Sequence, residues 1–160
     1  MCRTANGYDI NGLGQLKDGR GNIAPSTIIL PTLAMEAKGE TEEERIEDFM
    51  KILDEAIDDC IEGLRIRFEW IASQSADSAK FMYDNNTMAG YNPEEGIRSA
   101  LSHGTLAVGN LGMAECLQIL IGCDHTDPKG MELAKRIYQL YKDKCAKSKQ
   151  EQKLNYAVYN

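Results

Sequence analysis

Five cysteines are the side chains of this sequence best suited to nucleophilic, radical or metal-binding chemistry. They are Cys2, Cys60, Cys116, Cys123 and Cys145. A secreted disulfide framework usually has an even number of closely spaced cysteines, whereas these are odd in number and widely scattered. The pattern therefore predicts reduced thiols and a cytoplasmic protein.

Two histidines, His103 and His125, could add acid–base or metal-binding chemistry. His125 follows Cys123 and Asp124, but no second pair of ligands stands at the spacing of a zinc site, so we predict a plain loop and no metal. His103 could act as an acid or base, or could only interact with the dipole at the end of a predicted helix. Both roles stay open at this stage.

Residues 109–112, Gly-Asn-Leu-Gly, precede a predicted helix that begins at Met113. The backbone N–H groups at such a helix start could bind a phosphate. A single pair of glycines more often marks close packing or a tight turn, so the segment alone does not predict a nucleotide site.

The charge of the chain and the length of its apolar runs exclude two classes of partner. Its formal net charge is −7 and its pI is about 4.9, and the basic residues alternate with acidic or apolar ones. A nucleic-acid-binding protein would need a basic surface, so we predict no nucleic-acid partner. Because no apolar run is long enough to cross a bilayer, we also predict no membrane partner.

Three predicted strands alternate with long helical stretches. The strands are residues 26–30, 105–111 and 154–159, and the helices are residues 41–73, 92–102, 113–121 and 127–152. Such long connections are crossovers, so we predict an α/β layer with parallel strands. The second strand has one face of small residues, Thr105, Ala107 and Gly109.

The helix predicted from Thr41 to Ser73 is long for a chain of this size. Thr41 and Glu44 form a capping box, and apolar residues follow at intervals of three and four. At 1.5 Å per residue the helix would span roughly 46 Å, unless Gly63 breaks it. A compact globule of 160 residues has a diameter of roughly 40 Å. We therefore predict that residues 1–160 form one incomplete domain of a larger body.

Three motifs in order resemble the catalytic barrel of anaerobic, class III ribonucleoside-triphosphate reductases. They are Met-Cys-Arg-Thr at 1–4, Arg-Gly-Asn at 20–22 with Leu-Pro at 30–31, and His-Gly-Thr-Leu-Ala-Val-Gly at 103–109 with Leu-Gly-Met-Ala-Glu-Cys at 111–116. The family typically has Met-Gly-Cys-Arg, Arg-Gly-Asn before a strand that ends in Leu-Pro, and His-Gly-Thr-Leu before a Gly-Leu-Ala-Glu helix start. The likeness covers essentially the whole chain.

The resemblance implies part of a ten-stranded α/β barrel of the glycyl-radical type. It implies that Cys2 becomes a thiyl radical and removes the 3′ hydrogen of a ribonucleotide, and that Asn22 holds the ribose hydroxyls. It further implies that Thr105 and Tyr156 bind substrate, with room for the nucleotide beside the small face of the Thr105 strand. The alternatives are an ordinary terminal thiol at Cys2 and a simple turn at Asn22.

The departures from the family pattern limit what this chain can do alone. The glycine between Met and Cys is missing, and the radical-glycine loop and the four-cysteine zinc site are not among these residues. The resemblance therefore implies that this segment binds no cofactor itself. A radical-SAM activase would install the radical elsewhere in the parent reductase, which the resemblance implies to be a homodimer. We expect no turnover from the segment by itself.

An alternative of another class is a non-catalytic binding or interaction module derived from such a barrel. The two hypotheses differ at the edges of the sheet. A piece of a barrel should expose apolar flanks on the strands of Ile28 and Val158 and should self-associate, whereas an adapted module should have polar edges and remain monomeric.

Overall fold

Three parallel strands form the sheet in the computed structural model, which describes residues 6–159. The strands are β1 (Asn22–Ile29), β2 (Thr105–Leu111) and β3 (Asn155–Tyr159), in the order β1-β2-β3. The predicted parallel α/β class is confirmed. The first strand begins four residues earlier than predicted, and it ends at Ile29 because Pro31 fits the first turn of the next helix.

Six α-helices are found in the described residues, four in the crossover from β1 to β2 and two in the crossover from β2 to β3. They are α1 (Leu30–Glu36), α2 (Glu42–Ala72), α3 (Lys80–Asp84), α4 (Arg98–Leu101), α5 (Met113–Ile121) and α6 (Pro128–Gln152). A 3-10 turn at Ala76–Ala79 precedes α3. The helices predicted before and after β2 lie close to their expected positions, except for α4.

Helix α2 runs without a break for 31 residues. Its capping box is formed as predicted, because the Thr41 hydroxyl accepts from the Glu44 N–H at 3.2 Å and the Glu44 carboxylate accepts from the Thr41 N–H at 3.1 Å. Gly63 does not interrupt the helix. Seven side chains line its buried stripe: Phe49, Leu53, Ile57, Cys60, Ile61, Leu64 and Phe68.

The helix predicted for residues 92–102 is wrong over its first half. Asn92 caps a turn by accepting from the Glu94 N–H at 3.1 Å, and it then forms an isolated bridge with Gly96. Gly96 has a φ of +73°, which a right-handed helix cannot contain. Only Arg98–Leu101 is helical, since the backbone first reverses direction at Gly96.

The two faces of the sheet have different neighbours. Leu106, Val108 and Tyr156 belong to one apolar core with α1, α2, α5 and α6, and α2 packs along β1 while α6 packs along β3. Thr105, Ala107 and Gly109 alternate with these core residues and therefore point to the opposite face. One face of the sheet therefore packs against the helices, and the opposite face is the candidate for a functional site.

The outer edges of β1 and β3 pair with no other strand among residues 6–159. Ile28 and Val158 are partly buried against the core, but Ile29 and Leu111 are more than half exposed at the carboxyl ends of their strands. Ile29 is thus an exposed apolar side chain at the end of β1, whereas Ile28 and Val158 are covered in part by the core. No helix of this part of the chain is long and apolar enough to cross a membrane.

Candidate functional site

The amino end of the sheet brings together two of the predicted substrate-binding residues. Asn22 is paired with Thr105 in the register of β1 and β2, and Thr105 is paired with Asn155 of β3. The Thr105 side chain is fully buried, and its hydroxyl donates to the amide oxygen of Asn6 at 3.4 Å. Cys2 lies outside the described residues, four positions before Asn6.

Tyr156 does not lie with this group. It is paired with Leu106 and faces the helices, and its hydroxyl donates to the Gln152 side chain at 2.6 Å. Successive residues of a strand point to opposite faces, so the sheet separates Tyr156 from the side chain of Thr105. A ligand on the small face of β2 would not reach both residues.

The predicted open space beside Gly109 is filled by the ring of Tyr159. A Cβ at Gly109 would lie 2.5 Å from that ring. The Tyr159 hydroxyl is 2.6 Å from the Thr27 hydroxyl, so the tyrosine spans β2 from β3 to β1. The expectation of free room for a nucleotide is therefore wrong at Gly109.

A buried polar network at the same end of the sheet was not predicted from the sequence. Its centre is the Asp9 carboxylate, whose side chain has no exposed surface. One oxygen accepts from the Asn11 N–H at 3.0 Å and the Asn155 amide at 2.7 Å. The other accepts from the Leu13 N–H at 2.9 Å and is 2.8 Å from Nδ1 of His103.

The hydrogen bonds decide the ionisation of Asp9. Burial alone would raise the pKa of this carboxyl, but the bonds from Asn11, Asn155, His103 and Leu13 favour the charged form and lower its pKa to about 2. The network is thus built around a carboxylate that stays ionised at neutral pH.

The Asp9 network should make stability depend on pH in the acid range. The pKa of about 2 in the folded protein lies below the ordinary aspartate value of 3.8, so the contribution to stability is present above about pH 4 and is lost as the pH falls towards 2. The difference corresponds to roughly 2 kcal/mol of unfolding free energy. Urea denaturation between pH 6 and pH 2 would measure it, with Asp9→Asn as the control that lacks this titration. If the unfolding free energies of the two proteins changed equally with pH, the prediction would be contradicted.

His103 connects the network to two further segments. A Cβ at Gly90 would lie 2.3 Å from Nε2 of His103, so the ring packs directly against this glycine, whose φ is +76°. The Arg20 guanidinium donates from Nε to the carbonyl oxygen of His103 at 2.6 Å. The histidine thus has a carboxylate partner. The sequence predicted it only as an acid or base or as a residue at a helix end.

The other candidate sites have structural roles. The Asp124 carboxylate accepts from the Thr126 N–H and hydroxyl in a turn. Within residues 6–159, no group of three or more His, Cys, Asp or Glu side chains is placed to bind a metal ion. Gly112 has a φ of +81°, and a Cβ there would lie 2.6 Å from Pro31. The glycine pair before α5 therefore serves close packing, which is one of the two roles predicted for it.

The cysteines of the described part are unpaired, and three of them are buried: Cys60, Cys116 and Cys145. Burial raises the pKa of the Cys116 and Cys145 thiols to about 12. Thiols that stay protonated at neutral pH are poor nucleophiles. Among the described thiols, only Cys123 is partly exposed, and it lies in the turn before α6.

Comparisons with known proteins agree with the fold. The family model for anaerobic ribonucleoside-triphosphate reductase matches residues 1–160. The anaerobic ribonucleoside-triphosphate reductase of Escherichia coli (strain K12) is 26% identical over 148 residues, which are 86% of this chain and 20% of that protein. The chain thus spans about a fifth of the length of this relative.

Solved structures show the same arrangement of strands and helices. An anaerobic ribonucleotide reductase from Thermotoga maritima, with glycerol in the active site, has a TM-score of 0.69 and 17% identity over 96% of this chain and 23% of its own. A second anaerobic ribonucleotide reductase has a TM-score of 0.67 and 18% identity, over 88% of this chain and 21% of its own.

Proposed function

The chain belongs to the anaerobic ribonucleoside-triphosphate reductase family, and from this membership we propose that it supplies part of the catalytic barrel of such a reductase. The observation that carries the proposal is the family match over all 160 residues. The parallel α/β fold of residues 6–159 supports it independently. The parent enzyme would convert ribonucleoside triphosphates to deoxyribonucleotides.

The proposed role of Cys2 is hydrogen transfer. A thiyl radical at this sulfur takes the 3′ hydrogen of the ribose, so an S–H bond forms while the C3′–H bond breaks and the unpaired electron moves to C3′. A glycyl radical on another part of the reductase would supply the unpaired electron. The protein must hold the sulfur beside the sugar and exclude water and oxygen.

The proposed substrate contacts are Asn22 and Thr105. An amide and a hydroxyl can each donate and accept hydrogen bonds, so they can orient ribose hydroxyls without changing their protonation. Their pairing across β1 and β2 supports a shared role. Asn6, which contacts Thr105, is only four residues from Cys2 in the chain. Tyr156 is left out of the proposed site because it faces the helices.

The remaining parts of the proposal concern partners and surroundings. The substrate is a ribonucleoside triphosphate, and the protein partners are the rest of the reductase chain, a radical-SAM activating enzyme and a second copy of the reductase. A structural zinc would lie outside these residues. The unpaired thiols of the described part are consistent with a reducing cytoplasm.

An anaerobic activity assay tests the proposal. A reductase whose barrel contains these residues, activated by a radical-SAM enzyme, should reduce a ribonucleoside triphosphate, whereas the 160-residue chain alone should not. The Escherichia coli relative, treated identically, is the positive control. No deoxyribonucleotide from the reductase under conditions where the control turns over would overturn the proposal. Turnover by the isolated chain would overturn its assignment as only a part.

A further inference from the structure

We propose that Asp9, His103 and Asn155 are positioning residues for the proposed reaction. They fix the segment of residues 6–14, which continues the Cys2 motif, on the amino ends of β2 and β3. This inference rests on the proposed function, because the segment matters for catalysis only if Cys2 carries the radical.

The first argument is that the network joins three distant parts of the chain. Asp9 lies 94 positions from His103 and 146 from Asn155. The Asn155 amide nitrogen also donates to the carbonyl oxygens of Ser102 at 3.1 Å and Gly104 at 3.2 Å, and its oxygen accepts from the Ile10 N–H at 3.0 Å. One buried asparagine thus binds both the entry to β2 and the N-terminal segment.

The second argument is that the carboxylate sets the backbone of the N-terminal segment. The Asp9 carboxylate accepts from the N–H groups of Asn11 and Leu13. The backbone N–H of Asp9 donates to the carbonyl oxygen of Gly14 at 2.8 Å. A carboxylate offers several directed acceptor sites, and bonds to a charged acceptor are stronger than neutral ones. The segment therefore has one defined conformation instead of a loose attachment.

The third argument is the cost of the arrangement. Burying a carboxylate costs several kcal/mol before its partners compensate, and an apolar pair would often stabilise a fold equally well. Among the described residues, Asp9 bonds to two backbone N–H groups, one amide and one imidazole, and to no lysine or arginine. We therefore infer that the buried carboxylate serves to fix the position of the N-terminal segment, since stability alone would not require a charge there.

The position of the network links it to the site. Asn6 is three residues from Asp9, and it contacts Thr105 at the amino end of β2. The four residues from Cys2 to Asn6 span at most about 14 Å when fully extended. Fixing Asn6 and Asp9 therefore fixes one end of a short tether to the proposed radical thiol.

The test uses variants of His103 in the activated reductase, because the chain contains a matched control. His103→Ala should lower kcat at least tenfold with little change in KM. His103→Asn should restore most of the rate, since its amide can donate to Asp9 from nearly the same place as Nδ1. His125→Ala, at an exposed loop histidine, should leave both constants unchanged.

Hydrogen exchange of the same proteins supplies the second readout. In His103→Ala, the Asn11 and Leu13 amides should lose protection while the amides of α2 and α6 keep theirs. Loss of protection there with an unchanged kcat would overturn the inference, and so would an equal loss throughout α2 and α6. A failure of His103→Asn to restore kcat would also overturn it. An inactive wild-type reductase would instead overturn the proposed function.

Discussion

Replacing Cys2 by serine in the reductase is expected to lower ribonucleotide reduction at least about a thousandfold, as loss of an essential reactive group does in other enzymes. The S–H bond is close in strength to an activated ribose C–H bond, so hydrogen transfer to sulfur is nearly balanced. An O–H bond is much stronger, so the proposed glycyl radical could not generate an oxygen radical at serine. Quantifying deoxyribonucleotide formed anaerobically measures the effect.

The matched control for Cys2 is Cys123→Ser. Cys123 is a partly exposed thiol in the turn before α6. Its replacement should leave the rate within about twofold, as surface substitutions usually do. Equal rates for the two serine variants would remove Cys2 from the mechanism.

Gly130→Ala is expected to destabilise the fold by about 3 kcal/mol, at the upper end of typical overpacking costs. Gly130 is buried in the first turn of α6. A Cβ there would lie 1.9 Å from the carbonyl oxygen of Asp124. That oxygen belongs to a backbone turn held by Thr126 and Asp127, so it cannot move aside as a flexible side chain would. The midpoint of chemical denaturation measures the loss.

Gly63→Ala is the control for this prediction. Gly63 lies inside α2, and apart from its chain neighbours and the backbone of its own helix no atom is within 4 Å of the place where its Cβ would stand. Alanine should therefore stabilise the helix by about 0.5–1 kcal/mol because it loses less backbone entropy than glycine. If both alanine variants shifted the midpoint in the same direction, the contact with Asp124 would not be the cause.

Local patterns of the sequence were sufficient to predict most of the architecture. The capping box and the three-to-four spacing placed α2, and long helical crossovers between apolar strands implied parallel pairing. These signals lie within a few residues of one another, and their physical causes are local. The break at Gly96 was missed because Asn92 and Pro93 are equally good at starting a helix and a turn.

The candidate site was predictable only in part. Asn22 and Thr105 came from family motifs, and the register places them side by side. The Asp9 network could not be found in this way, since an aspartate in a Gly- and Asn-rich segment has the pattern of an ordinary loop. Tyr159 was likewise not predicted to cover Gly109, because contacts across strands depend on a register that the composition of one strand does not contain.

The Asp9 network has a consequence for the order in which the chain folds. Its three members come from the N-terminal segment, the entry to β2 and the first residue of β3. Helix α2 can form from contacts close in sequence, but parallel strands must first close long loops. During synthesis from the N-terminus, Asn155 emerges last, so the carboxylate of Asp9 stays incompletely bonded until the third strand docks. Protection of the Ile10 amide, which donates to the Asn155 side chain, is therefore a natural reporter of the docking of β3.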